Sequence, residues 1–259
     1  MATVIDLDAL MRQGWPAQIE VPVDGWIARL SGGVTQRANS VLPLAAPVDL
    51  VDTIERVERL YREHGIAPTF QVGPTAQPDG LDEVLAERGY QPRTPVSVQT
   101  AAVEDVLREI ATLAPAPSVG GGVQISEEPS QSWLDFWWTV DGRGDEARAK
   151  EVARHILTAG PALYAARYDQ SGVTAIGRLA LVGDWAGLYC LAVRPDCRRQ
   201  GQAIAIISAL LDEARARGVR YTWLQVMIAN VGARALYARL GFRTAADYHY
   251  RTLVGDGAE

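Results

Sequence analysis

Six consecutive residues carry the clearest chemistry in the chain: Arg198, Arg199, Gln200, Gly201, Gln202 and Ala203. They follow a continuous apolar run, Leu188 to Val193, that Pro195 interrupts, and they precede a stretch with apolar residues at helical spacing. Proline cannot donate to a ladder, and i, i+3, i+4, i+7 spacing builds a helix with one apolar side. The order therefore predicts a strand, a tight turn and the start of a helix. A helix start offers free backbone N–H groups and the positive end of a dipole, which together favour a bound phosphate. Gly201 and Ala203 lack bulk, so a diphosphate can approach the backbone, and Arg198 and Arg199 place two cations beside it. The stretch is neither a Walker A loop nor the dinucleotide fingerprint G-x-G-x-x-G. A basic turn that merely caps a helix is the competing reading.

A second constellation lies downstream. Asn230, Ala233, Tyr237, Gly241 and Phe242 follow another apolar strand, Leu224-Gln225-Val226. Asn is a favoured N-cap, and glycine just past the last helical turn suits the left-handed C′ position. Tyr237 is either a proton donor or a ring on the helix's packing face.

The elements that must position these residues occur twice. Ala28 to Thr35 (ARLSGGVT) and Ala166 to Thr174 (ARYDQSGVT) each read as a strand, a Gly/Ser turn and a second strand. Each is followed by a long amphipathic helix. The first spans Pro47 to Gly65, with Leu50, Ile54, Val57 and Leu60 or Tyr61 on one face. The second spans Gln202 to Gly218, with Ile204, Ile207, Leu210, Leu211 and Ala214. A short strand ending in Gln-Val comes next in both (Phe70 to Val72, Leu224 to Val226), then a helix closed by Gly-aromatic (Gly89-Tyr90, Gly241-Phe242). Alternating strands, Val96 to Thr100 and Tyr248 to Thr252, end the two copies. The Pro/Gly-rich segment from Ala114 to Gly122 reads as a linker. The expectation is an α/β protein of two similar domains, 1–117 and 118–259.

Composition bounds the rest. The 259 residues carry 25 Lys+Arg against 31 Asp+Glu, a formal charge of -6 that leaves no footprint for a nucleic-acid partner. Two cysteines, Cys190 and Cys197, make no disulfide framework, and three scattered histidines give no metal-ligand spacing. The N-terminus does not read as a signal peptide, and the longest largely apolar stretch, Ala203 to Leu211, is too short to cross a bilayer. The expectation is a cytoplasmic protein with no metal and no membrane partner.

Residues 160–252 resemble the GCN5-related N-acetyltransferase (GNAT) superfamily. The family's diphosphate motif, Gln/Arg-x-x-Gly-x-Gly/Ala, matches Arg198-x-x-Gly201-x-Ala203 behind Val193 and Pro195, and its second signature matches Asn230, Ala233, Tyr237, Gly241 and Phe242. The resemblance implies mostly antiparallel, V-splayed sheets flanked by helices, in tandem, with a degenerate first copy. At the place of the phosphate turn that copy has Leu44 to Asp49, with no Gly-x-Gly/Ala, no arginine and an acidic residue, so it is not expected to bind CoA.

The roles that follow are likewise implied by the resemblance. Acetyl-CoA is the co-substrate and a small-molecule or peptide amine the acceptor, attacked directly in a ternary complex formed by a monomer or homodimer. A CoA-binding regulatory module with little transfer activity is the alternative. Leu191, Ala192 and Val193 pair with the pantetheine arm, and the Val193 N–H faces the thioester oxygen. Arg198 to Ala203 hold the diphosphate, Asn230 and Ala233 contact the pantetheine, and Tyr237 protonates the leaving thiolate. Trp137, Trp138 and Asp141 line the acceptor pocket. The strand before the phosphate turn begins Ala186-Gly187-Leu188-Tyr189, without the glutamate that many relatives use as base. Asp141, Asp184 and His249 remain candidates for that task.

Overall fold

A computed structural model describes residues 6–113, 122–142 and 147–254. The expected domain boundary near 117 lies outside these residues. The first half runs α1 (Leu7–Gly14), β1 (Ile19–Val23), β2 (Trp26–Leu30), β3 (Val41–Pro43), α2 (Leu50–Glu63), β4 (Thr69–Val72), α3 (Leu81–Glu87) and β5 (Gln91–Ala102). Helix α4 (Val103–Thr112) leads to the second half: β6 (Gln124–Ser126), α5 (Gln131–Asp141), α6 (Ala147–Thr158), β7 (Ala162–Asp169), β8 (Gly172–Val182), β9 (Trp185–Val193), α7 (Gln202–Ala216), β10 (Tyr221–Met227), α8 (Val231–Arg239) and β11 (Arg243–Thr252).

All strands form one mixed sheet in the order β1-β2-β3-β4-β11-β5-β10-β9-β8-β7-β6. Two pairs are parallel, β3 with β4 and β9 with β10; the others are antiparallel. The order is nearly symmetric about its centre, because each half gives its last strand to the other. Strand β5 leaves the first half to pair with β10, and β11 leaves the second half to pair with β4. This exchange covers the edge that each half would otherwise expose.

The repeated elements follow the sequence closely from the long helices onward. The buried face of α2 carries Thr53, Ile54, Val57 and Tyr61. That of α7 carries Gln202, Ile206, Ile207, Leu210, Leu211 and Ala214. Ile204, expected on the buried face, instead lines a cavity at the helix start.

The two Gly/Ser turns do not match. Ala166 to Thr174 is a tight hairpin in which Asp169 pairs with Gly172. Ala28 to Thr35 ends β2 and enters a loop whose 3-10 turn covers Gln36–Ala38; β2 and β3 meet only at Ala28↔Val41 and beyond. Their order in the sheet makes β2 the counterpart of β8, not of β7. The similar residues therefore sit at different places in the two copies.

One of the three apolar clusters crosses the halves. It joins Met11, Trp15, Ala38, Val96 and Val98 to Trp133, Trp137, Ile156, Tyr164, Tyr189 and Trp223. Arg178 fastens the same junction. Fully buried, it donates from Nη1 to the Gly14 carbonyl at 2.9 Å and from Nε to the Leu157 carbonyl at 2.9 Å. Its guanidinium lies 5.6 Å from the Trp15 ring centre.

Candidate active site

The site begins with a break in the sheet. Strands β9 and β10 pair only from Trp185↔Tyr221 to Leu188↔Leu224, and then both continue without a mutual partner. The cause is a bulge in β9. Ile176 faces Ala192 and Arg178 faces Tyr189, so β9 carries one residue more than β8 at this point, with Cys190 at φ +53°. The Arg194 N–H reaches the Thr174 carbonyl on β8 at 2.8 Å. Amides alternate along a strand, so those of Leu191 and Val193 face away from β8 into the gap. An extended amide-bearing ligand could add there as a strand.

Helix α7 starts at the same gap. Gly177, opposite the bulge, lets the helix approach: a Cβ there would lie 2.5 Å from Ile206 Cγ2. The N-cap is Gly201 at φ +73°, a left-handed conformation that costs other L-residues energy. No side chain caps α7, so its first amides stay open to a ligand. The first half is the contrast: Asp49 caps α2 by accepting from Asp52 N at 3.0 Å, filling the corresponding place with the chain's own carboxylate.

The turn before Gly201 is braced. Arg194 donates to Asp169 at 2.5 Å and to Asp196 at 2.7 Å, and its hydrogen bonds hold both carboxyls below their usual range. The exposed Arg198 guanidinium donates only to the Val193 carbonyl, at 3.3 Å, among the described residues, and so keeps donors for an anion.

A cavity of about 1070 Å³ runs from this turn through the gap to the junction of the halves. Of the expected cofactor residues, Leu191, Val193, Arg198, Arg199, Gly201, Gln202, Ala203, Asn230, Ala233 and Tyr237 line it. Ala192 and Gln200 do not. Ala192 joins the apolar cluster on the other face of β9, and Gln200 turns back to donate to the Asp196 carbonyl at 3.0 Å. Asn230 caps α8 by accepting from Ala233 N at 3.1 Å, which leaves its amide NH₂ for a ligand. Tyr237 packs edge-on to Phe242, and its hydroxyl has no hydrogen bond among the described residues. Burial pushes this phenol up to about 12.

At the far end, Trp137 and Asp141 line the cavity, and the Trp137 indole donates to Asp141 Oδ2 at 3.0 Å. Trp138 does not line it; its ring packs against Trp137 and under the Lys150 ammonium. The two other base candidates lie elsewhere. Asp184 sits in the turn before β9 and pairs with Arg220 at 2.5 Å. His249 pairs with Asp82 at 2.8 Å, on the face of β11 toward α3. Asp141 is the sole carboxylate lining the cavity among the described residues. Burial pushes the Cys190 thiol up to about 12.

Several lining residues were not marked as site residues by the sequence: Trp15, Thr35 and Arg37 from the first half, and Tyr189, Gln225, Tyr248 and Tyr250 from the second. Gln225 donates to the Tyr248 hydroxyl at 2.9 Å, and Tyr248 meets the Tyr250 hydroxyl at 3.4 Å. The alternation of Tyr248 and Tyr250 marked a strand face, but nothing local marked what it faces. No group of three or more His, Cys, Asp or Glu among the described residues could hold a metal. No helix among them is long and apolar enough to cross a membrane.

Known proteins resemble the chain along its length. A family model described as "Probable histone acetyltransferase Rv0428c C-terminal" matches residues 2–251. The chain is 27% identical over 253 residues to the uncharacterized N-acetyltransferase YobR of Bacillus subtilis (strain 168), across 97% of this chain and 99% of that one. It is 41% identical over 99 residues to the ribosomal protein bS18-alanine N-acetyltransferase of Escherichia coli (strain K12), across 36% of this chain and 67% of that one. Among solved structures, a tandem GNAT protein from the clavulanic acid biosynthesis pathway superposes with a TM-score of 0.63 at 14% identity, across 100% of this chain and 90% of that one. At that identity the likeness is one of fold.

Proposed function

Because the chain belongs to the family described as probable histone acetyltransferase Rv0428c C-terminal, and is a tandem GNAT N-acyltransferase, we propose that it moves the acetyl group of acetyl-CoA to a primary amine by direct attack in a ternary complex. One observation carries the reading: the uncapped start of α7 at Gly201 opens onto the unpaired amides of Leu191 and Val193, and that gap leads to the only cavity-lining carboxylate among the described residues.

The residues fit the group. The amides at the start of α7, with Arg198 and Arg199, would hold the diphosphate. The unpaired backbone of β9 and the Asn230 amide would hold the pantetheine. When bound, acetyl-CoA supplies an activated acyl group. Leu191 follows the bulge directly, and Leu191, Val193, Asp141 and Trp137 line one cavity. The unpaired N–H groups of Val193 and Leu191 are the donors that would meet negative charge building on the acyl oxygen.

Asp141 is the group able to take a proton from the acceptor's ammonium, directly or through a water, so that the free amine attacks. Tyr237, kept protonated by burial, would give its proton to the departing CoA thiolate, releasing the thiol. The first half binds no CoA in this reading, since Asp49 occupies the start of α2. Its role is to complete the sheet and the far wall of the cavity. The names of the relatives support nitrogen as the acceptor atom.

Calorimetry with acetyl-CoA, paired with a thiol-release assay over a panel of primary amines, tests the reading. Micromolar binding at one site and amine-dependent thiol release are expected. Binding with no amine-dependent release would favour a regulatory CoA-binding module. No binding would remove both.

A further inference from the structure

Arg37 is a cation in the cavity that the reaction proposed above does not use. It reaches the cavity from the 3-10 turn Gln36–Ala38 of the first half. Its guanidinium lies 5.8 Å from the Trp15 ring centre and 5.9 Å from that of Tyr189. Tyr189, Cys190, Tyr248 and Tyr250 line the cavity with it, and Asp141, the one lining carboxylate among the described residues, accepts from the Trp137 indole instead. Among the described residues no carboxylate or carbonyl accepts a hydrogen bond from it. The contrast with the other interior arginines is sharp: Arg29 donates to Ser40 and Gln71, and Arg178 to two backbone carbonyls. Arg37 is half-buried, held by rings on its faces, and keeps its planar fork of donors free.

Its position relative to the chemistry is set by Tyr189. Arg37 sits over the ring of Tyr189, the residue before the bulge at Cys190, and Asp141 lines the same cavity, so a cation and an anion share the space beside the bulge. The phosphate turn, with its own arginines, lies at the start of α7 at the other end of the gap, so the diphosphate does not need Arg37. Val34 and the 54% exposed Val140 add apolar lining to the same cavity.

We propose that Arg37 anchors a carboxylate of the acceptor, so that the acceptor is an amino acid-like molecule carrying its carboxylate close to the attacking amine. Asp141 then faces the ammonium and Arg37 the carboxylate. This rests on the acetyltransferase reading and adds to it the class of acceptor and a specificity residue from the half that binds no CoA. Guanidinium–carboxylate pairs are charge-assisted and often bidentate, so losing the carboxylate is expected to cost about 10- to 100-fold in kcat/KM.

The test compares matched amines with the wild-type protein: L-phenylalanine, L-phenylalaninamide and phenethylamine, and the same series from L-alanine. The acids are expected to be preferred by at least about tenfold over the amides. Calorimetry is expected to show N-acetyl-L-phenylalanine binding more tightly than its amide. In Arg37→Gln both preferences should vanish, while the acetyl-CoA Kd stays at its wild-type value. Arg37→Lys should keep part of them, since charge survives without the fork. Equal rates for acid and amide in the wild type, or faster acetylation of an uncharged peptide N-terminus, would overturn the proposal and leave the acetyltransferase reading standing. Failure of acetyl-CoA itself to bind would instead bring down the reading beneath it.

Discussion

Replacing Gly201 separates two contributions to the phosphate cradle. At φ +73° an alanine pays the left-handed penalty of about 1–2 kcal/mol, and this falls on folding whether or not a ligand is present. Gly201→Ala should therefore lower the melting temperature by several degrees, while its single methyl leaves most of the affinity for CoA. Gly201→Glu carries the same backbone penalty and adds a negative charge beside the diphosphate. At a separation of about 5 Å and an effective dielectric between about 20 and 80, each pair of like unit charges repels by about 0.8–3 kcal/mol. That is about a 4- to 200-fold loss of affinity for each phosphate charge near the carboxylate. The two variants should melt alike and bind differently. Differential scanning calorimetry and titration calorimetry with CoA measure the two quantities, and the Glu defect should shrink at high salt because the charges sit at an open turn. Two variants that bind CoA as the wild type does would show that the diphosphate is not held at the start of α7.

Tyr237→Phe removes a hydroxyl that has no structural hydrogen bond among the described residues, so turnover should fall about 10²-fold while the acetyl-CoA Kd and the melting temperature stay put. Steady-state kinetics beside calorimetry would show this, and a wild-type kcat would remove Tyr237 from the chemistry. Asp141→Asn should depress kcat/KM for amines without changing acetyl-CoA binding; stopped-flow thiol release gives the rate, and an unaltered rate would return the proton to bulk water. Asp82 joins the halves by accepting from Arg251 and His249, and these hydrogen bonds hold its carboxyl below the usual range. A depressed folded pKa stabilises above the unfolded value, near pH 3.9, and that stability is lost as pH falls through the folded value. Asp82→Asn should thus melt below the wild type at pH 7 and converge with it in strong acid; parallel melting curves down to pH 2 would contradict the linkage. Finally, a fragment of residues 118–259 lacks β5, whose Val96 to Ala102 cover β10 from Met227 to Tyr221. It should aggregate or stay unfolded by size-exclusion chromatography and circular dichroism, and a monomeric fragment with native-like cooperative melting would show that the exchanged strand is dispensable.

The sequence by itself determined what depends on local order. Pro195, the small Gly201 and the spacing Ile207, Leu210, Leu211, Ala214 are local facts, and they placed the strand, turn and helix that make the cradle. The pair Gly89-Tyr90 and Gly241-Phe242 did the same for the helix ends. The repeat was legible from the long helices onward because helix faces and caps are written within a few residues. The match of ARLSGGVT to ARYDQSGVT misled because similar turn residues serve different connections. Only the tertiary structure decided which distant residues share the cavity. Arg37, Trp15 and Tyr250 reach it because the two halves exchange β5 and β11, and no periodicity encodes which strand lies beside an unpaired edge. The same arrangement left Asp141 on the cavity and put Asp184 and His249 against arginine and aspartate elsewhere. Strand pairing across more than a hundred residues is chosen by the total burial and hydrogen bonding of the finished sheet, a sum that no single segment carries.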